Sequence, residues 1–366
     1  MLRSTTNGRP TRDEEIVLSV SVPTKAEAEA SVTMKKLINN PEDFVDEMLE
    51  GLVLAHPDRV SRLDNEPRAV VRADGDFQGR VTIATGGGSG HLPLFVGYVG
   101  RGLVDGCAVG NLFASPSTDQ MLAVTRAIQG GEGVLYLYGN YGGDRLNFDL
   151  AAELADTEGI RVATVRATDD VASTPPERAS ERRGIAGIFF GYKIAGACAA
   201  AGADLDTVAR VAAQALGRTR SMGVAVSPCV LPTVGHSTLD LPDGEMEIGM
   251  GIHGEPGVRR GPLLPADVVV DDLLERILSD LRPDPGAEMA ILVNGLGATP
   301  AEELYILYRR VHESLTDSGF RIHRAYVGNH ATSLEMAGAS ISIIHLEPGL
   351  IDYLDADADQ PLTMIG

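Results

Sequence analysis

The chain has 366 residues, with 51 Asp+Glu against 31 Lys+Arg and a formal net charge of −20 at pH 7. At roughly 150 residues per domain that length predicts two domains, and 44% hydrophobic residues exclude wholesale disorder. The acidic excess excludes a general nucleic-acid binder, which needs clustered cations, and argues against docking on an anionic membrane.

Cys107, Cys198 and Cys229 are scattered, which gives no disulfide framework and no CxxC zinc pair. A reducing cytoplasm is the expected compartment. Arg3, Arg9 and Arg12 are not followed by an apolar core, so no secretory signal is read. Residues 1–33 form an N-terminal extension, either a tail or one strand over 16–22 that Pro23 ends.

Helical spacing begins at 41–54, where Phe44, Val45, Met48, Leu49, Leu52 and Val53 share a face. Three strands then each lead into a turn. Residues 81–84 lead into Gly86-Gly87-Gly88-Ser89-Gly90-His91. Residues 133–138 lead into Asn140-Tyr141-Gly142-Gly143-Asp144, and 161–165 into Thr168-Asp169-Asp170. Helices are predicted over 119–128, 149–155, 185–201 and 205–216. Residues 184–203 are nearly apolar, but Lys193 at their middle would cost about 2.5–3.5 kcal/mol at a bilayer centre. A buried helix is therefore expected rather than a span.

A second unit begins near 219, with a strand over 222–226 and a turn-rich region through Pro265. A strand over 290–293 ends in Asn294-Gly295-Leu296-Gly297. Pro300 opens a helix over 301–315, and 322–327 and 341–345 close as strands. The alternation predicts an α/β protein: two α/β domains, 34–217 and 218–366, with largely parallel or mixed sheets flanked by helices.

In open α/β sheets ligands sit beyond the carboxyl ends of strands. Two such ends carry a titratable residue just after glycines, His91 and Asp144. A third glycine-rich loop, Gly249-Met250-Gly251-Ile252-His253-Gly254-Glu255-Pro256-Gly257, presents His253. It contains G-x-G-x-x-G by letter. The dinucleotide reading fails because 241–247 is acidic and turn-like, and Glu255-Pro256-Gly257 breaks the helix that should receive a pyrophosphate. No Walker loop is present, and Ser89 does not sit in G-x-S-x-G. The remaining histidines, among them His236, have no metal-ligand spacing, so no metal site is expected. Asp169-Asp170 reads as a turn or cap pair. An imidazole can attack a carbonyl, and His and Asp can transfer protons, which suits a small carbonyl or polyol ligand.

These segments, together with Met34-Lys35-Lys36-Leu37-Ile38-Asn39, Ser115-Pro116-Ser117, Arg182-Arg183-Gly184 and Thr332-Ser333-Leu334-Glu335-Met336, resemble the substrate-binding K subunit of dihydroxyacetone kinases over about 34–360. The resemblance implies a homodimer and a histidine at His253 that traps the ketone carbon of a small ketose as a hemiaminal. It implies that Asp144 and His91 orient and deprotonate the hydroxyl that receives phosphate, and that Gly88, Ser89 and Gly90 line the pocket. ATP or ADP with magnesium is expected on a separate L-type partner, with no cofactor on this chain. Two positions depart from the family. Leu92 replaces a glutamate, and Gly139, a substrate-binding position, replaces a lysine that helps hold a substrate hydroxyl. They point to a longer ketose such as erythrulose. The alternative is a catalytically silent paralogue that binds a ketose and acts as a sensor or coregulator.

Overall fold

The computed structural model describes residues 36–237 and 240–362. The readings made for 1–33, and Met34 and Lys35 of the first motif, lie outside the described residues.

Two six-stranded sheets carry the fold among the described residues. The first is built from β1 (Val60–Leu63), β2 (Glu66–Arg72), β3 (Thr82–Ser89), β4 (Gly106–Leu112), β5 (Val134–Gly139) and β6 (Val162–Ala167), in the order β1-β2-β4-β3-β5-β6. Strands β4, β3, β5 and β6 are parallel, while β1 and β2 form an antiparallel edge. The second sheet holds β7 (Thr219–Ser227), β8 (Glu245–Ile248), β9 (Arg259–Pro262), β10 (Glu288–Gly295), β11 (Arg321–Gly328) and β12 (Ala337–Leu346), in the order β11-β10-β12-β7-β8-β9. Only β10 and β11 pair in parallel, so this sheet is mixed.

The helices are α1 (Phe44–Ala55), α2 (Thr118–Ile128), α3 (Gly142–Thr157), α4 (Ile188–Ala200), α5 (Leu205–Gly217), α6 (Ala266–Leu281), α7 (Ala301–Asp317) and α8 (Pro348–Asp355). Their starts follow from capping chemistry. Ser117 and Gln120 form a reciprocal capping box at α2. The Asp204 carboxylate accepts from Thr207 N (2.8 Å) at α5. Asp169 accepts from Ile185 N (3.1 Å) and Gly187 N (2.9 Å), so it anchors the entry to α4. Its neighbour Asp170 caps the following turn at Ala172 N (3.0 Å) and also binds Arg183. The cap reading of this pair therefore holds locally.

Helix α4 is buried on nearly every side, which explains its uniform hydropathy. Lys193 lies half-buried on it and reaches Ala356 O (3.3 Å). Among the described residues no helix is long and apolar enough to cross a membrane.

The described residues from Ile38 onward form one compact unit. A single apolar cluster joins Ile83 and Leu135 of the first sheet to Leu292 and Ile344 of the second. The first sheet ends at Ala167 and the second begins at Thr219.

Several elements differ from the sequence reading. The glycines at 86–88 lie inside β3, not in a turn after it, because flanking loops close directly onto the strand. A Cβ on Gly87 would fall 2.2 Å from the Phe95 ring, and one on Gly88 would fall 2.7 Å from Ala114 N. Helix α3 begins at Gly142, seven residues ahead of the predicted start, so Gly142, Gly143 and Asp144 make its first turn. Two adjacent glycines cost about 1 kcal/mol each in a helix, which hid that turn from the pattern. The region 241–247, read as turn-like, contains the start of β8, a short antiparallel strand that β7 and β9 hold on either side. Strands β1, β2, β4 and β9 and helices α6 and α8 were not read.

Candidate active site

The carboxyl end of β3, the start of α3 and the loop after β8 converge. His91, just past β3, is 1% exposed. Its ring stacks on Phe113 at 4.8 Å and meets the His253 ring edge-on at 4.8 Å. The His253 ring also packs edge-on against Tyr141 at 4.7 Å and Phe113 at 5.4 Å. Asp144 is buried, one turn into α3.

Gly90 makes the turn between β3 and His91 with φ +101°, and a Cβ there would lie 2.7 Å from the Phe113 ring. Only glycine meets both demands without strain. Phe113 itself holds φ +54° and Leu334 φ +51°. Such non-glycine left-handed residues cluster where a site over-determines the backbone. Ser89 is occupied structurally, since its hydroxyl donates to Gly110 O (2.8 Å). Residues 332–334 run alongside: Thr332 N donates to His91 O (3.2 Å) and Leu334 N to Gly90 O (2.7 Å).

Hydrogen bonds fix the tautomers of both imidazoles. His91 Nδ1 lies 2.8 Å from Thr332 O, and a carbonyl only accepts, so Nδ1 carries the proton. Nε2 is then a bare acceptor, and it is buried without a partner. His253 Nδ1 lies 3.0 Å from Glu255 Oε1, and the His253 backbone N–H donates to Glu255 Oε2 (3.0 Å). Glu255 therefore holds the Nδ1 proton and leaves His253 Nε2 with a free lone pair. The same carboxylate faces Arg183 Nη1 at 3.7 Å, and Arg183 in turn grips Asp170 at 2.7 Å and Gly249 O at 3.4 Å. The loop that carries His253 is thus tied to the segment leading into α4.

Electrostatics separate the roles. Burial, with the His253 ring adding to it, holds His91 down at about 3, so it is neutral at physiological pH. Burial pushes the Asp144 carboxyl up to about 6, while Ser115 and His253 pull the other way. Burial also works to raise Glu255, but the His253 hydrogen bond and the Arg183 guanidinium outweigh it and leave that carboxyl at about 2. One carboxyl is poised near neutrality and the other is a permanent anion, the contrast expected of a proton-transfer group beside a positioning group.

Three buried polar atoms gather here without hydrogen-bond partners: His91 Nε2, Asp144 Oδ1 and Tyr141 Oη. Each such orphan costs about 1–3 kcal/mol unless a ligand supplies its partner. The arrangement suits a small molecule with several hydroxyls and one electrophilic carbon beside His253 Nε2.

Of the residues named from sequence, His91, Asp144 and His253 come together, with Gly88, Ser89 and Gly90 forming the adjoining strand end. Gly139 ends β5, where a Cβ would stand 3.2 Å from two Tyr141 ring atoms. The space beside Gly139 is therefore bordered by Tyr141. Sequence reading did not assign Glu255, Arg183, Tyr141, Phe113 or Thr332. Glu255 carried a usable signal, its place two residues after His253. Phe113 and Thr332 carried none, because only the topology brings them to His91. His236 is exposed and away from this cluster. Among the described residues no group of three or more His, Cys, Asp or Glu could hold a metal ion.

Comparison with known proteins identifies the family. The family model for the Dak1 domain matches residues 50–362. The chain is 45% identical over 328 residues to a PTS-dependent dihydroxyacetone kinase 2, dihydroxyacetone-binding subunit, of Listeria innocua, covering 90% of this chain and 98% of that protein. It is 43% identical to an L-erythrulose kinase of Pectobacterium atrosepticum, covering 90% of this chain but only 56% of that longer protein. Among solved structures, the dihydroxyacetone kinase operon co-activator DhaQ superposes with a TM-score of 0.79 at 31% identity, covering 85% of this chain and 96% of that one. With the match running through both sheets and all three loops of the site, the chain belongs to the Dak1 family of dihydroxyacetone-binding kinase subunits.

Proposed function

We propose that the chain is the ketose-binding subunit of a short-ketose kinase, working as a homodimer in the cytoplasm with an L-type subunit. The observation that carries this is the His253–His91 pair at 4.8 Å, with each free Nε2 defined by a fixed Nδ1 proton.

His253 Nε2 attacks the ketone carbon, a C–N bond forms as the C=O π bond breaks, the oxygen takes a proton from water to become the hemiaminal hydroxyl, and the ring returns its Nδ1 proton to solvent by way of Glu255, 3.0 Å away. Only a carbonyl can be trapped this way, so glycerol is discriminated against. Asp144 then takes the proton of the terminal hydroxyl and raises its nucleophilicity, while the bare Nε2 of His91 is an acceptor that orients the bound ketose. Such general base help is worth about 10²–10⁴-fold. The phosphoryl donor, ATP with magnesium, or ADP once a phosphotransferase relay has rephosphorylated it, belongs to the L-type partner and not to this chain. The two sheets, divided near residue 218, act as two domains, one supplying His91 and Asp144 and the other His253.

Glu255 is a positioning residue for His253. Glu255→Gln removes the anion that organises Nδ1–H, and losing an outer partner of a functional histidine costs about 10–100-fold. The expected result is adduct formation slowed by that factor, with the unfolding midpoint little changed. Adduct formation at the wild-type rate would contradict the role.

The substrate is a short ketose with room for a fourth carbon. The lysine-to-glycine change at Gly139 removes a cationic donor; the Tyr141 ring borders the space beside Gly139, and its buried hydroxyl has no partner. A longer ketose can use that hydroxyl, and the similarity to an L-erythrulose kinase supports the choice. A panel of dihydroxyacetone, both erythruloses and glycerol, phosphorylated with an L-type subunit, tests it. An erythrulose is expected to lead by kcat/KM, and a strong preference for dihydroxyacetone would refute the assignment.

The similarity to an operon co-activator favours a second reading, in which the chain traps a ketose and signals without turnover. The presence of His91, Asp144 and His253 in one site favours the kinase.

A further inference from the structure

A separate cavity of about 290 Å³ lies behind the ketose site, between α4, β11 and the segment that follows α8. Its lining includes Lys193, Tyr326, His330, Phe189 and Tyr98, and residues 358–361 form its outer wall. That wall is fastened to the chain after β3, with Leu362 N donating to Gly97 O (2.8 Å) and Asp359 N to Arg101 O (2.9 Å).

The polar groups of this cavity are unbalanced. Arg324 is neutralised by Asp355 (3.0 Å). Asp359 accepts from Arg101 N (2.9 Å) and faces Arg59 (3.9 Å). Lys193 has no carboxylate within ion-pair distance among the described residues, and one long bond to Ala356 O uses one of its three donors. Burial and the Arg324 charge depress its pKa, while Asp355 and Asp357 pull the other way from beyond ion-pair distance.

The Tyr326 hydroxyl is buried without a partner. His330 is 3% exposed and neutral, pushed down to about 4 by burial. Its Nδ1 lies 3.5 Å from the Tyr98 hydroxyl, which donates instead to His330 O (3.0 Å). Phe189 packs edge-on against both the Tyr326 ring (4.7 Å) and the His330 ring (5.0 Å) and gives an apolar floor. Lys193, the Arg324–Asp355 pair, Asp359 and the Tyr326 and His330 groups thus line a space too large for one or two waters, and Lys193 is the lining cation without an ion-pair partner among the described residues.

We propose that this cavity is a second ligand site, one that takes a small organic anion, a carboxylate or a phosphate monoester. Lys193 supplies the counter-charge, Tyr326 and His330 supply hydrogen bonds, and Phe189 packs against the ligand's carbon frame. The site shares no lining residue with the ketose pocket and is linked to it along the chain. Tyr98 follows Phe95, whose ring meets His91 edge-on at 6.1 Å, and His330 lies two residues before Thr332, which holds His91 Nδ1.

The test is made on the full chain without ketose, so it stands or falls independently of the kinase reading. Succinate and inorganic phosphate are titrated calorimetrically and soaked into crystals, with succinamide as the neutral control. At least one anion is expected to bind, with density between Lys193 and His330, and succinamide is not. Succinate binding alone identifies a carboxylate ligand, and phosphate binding alone a phosphate ester. Lys193→Gln should weaken binding about tenfold, the loss expected for a charged hydrogen bond. Lys193→Arg should restore it, which separates charge from folding, and His253→Ala should leave it unchanged. The proposal is overturned if neither anion gives density in the cavity, if Lys193→Gln binds as tightly as wild type, or if His253→Ala abolishes binding.

Discussion

Asp144→Asn should leave ketose binding intact and lower phosphorylation by about 10²–10⁴-fold, the usual contribution of a general base. The amide keeps the size of the carboxyl, so the first turn of α3 and its contacts survive, and only the proton acceptor is lost. The pH profile makes the same assignment a second way. Asp144 titrates at about 6 because burial raises it, and it acts only when deprotonated. Wild-type kcat/KM should therefore fall as pH drops through about 6. His91, already neutral down to about 3, adds nothing in that range. Rates measured with an L-type subunit across pH 5–8 check both points. An Asp144→Asn enzyme with normal turnover would remove the residue from the chemistry.

His253→Ala should abolish the covalent ketose adduct altogether. His91 is the other imidazole of the site, and its Nε2 is fully buried, so it serves as an acceptor and not as a second nucleophile. Intact-protein mass spectrometry after borohydride-free incubation, or a crystal soaked with ketose, reads the adduct directly. Discrimination between ketoses and glycerol should collapse in the same variant, because trapping is what tells them apart. An adduct that persists in His253→Ala would place the nucleophile elsewhere.

Much of this was legible in the chain itself. Strands with long apolar runs, such as 290–293, and helices with a clear face, such as 205–216, announced themselves through periodicity. His91, Asp144 and His253 were visible because each follows or sits within a glycine-rich segment. Elements held by tertiary contacts were not visible. Strand β4 reads Gly-Cys-Ala-Val-Gly-Asn-Leu, whose two glycines and asparagine mask the strand pattern, and β2 and β3 pair with it on both sides. Strand β8 likewise depends on β7, and the edge strand β9 on β8.

The site follows the same rule. The spacing of His253 and Glu255 lay within one loop and could have been read. The contact of His91 Nδ1 with Thr332 spans 241 positions of sequence. No local pattern reports it, yet it defines which nitrogen of His91 is free. Tyr141 was in view as part of a motif, but its place between Gly139 and His253 depends on how β5 meets α3.

The most direct test of the account is phosphorylation of short ketoses by this chain with an L-type subunit, ATP and magnesium. The account predicts turnover of at least one ketose and little or none of glycerol. Ketose bound at His253 in crystals, with no phosphorylation of any member of the panel, would contradict it and establish the chain as a ketose sensor.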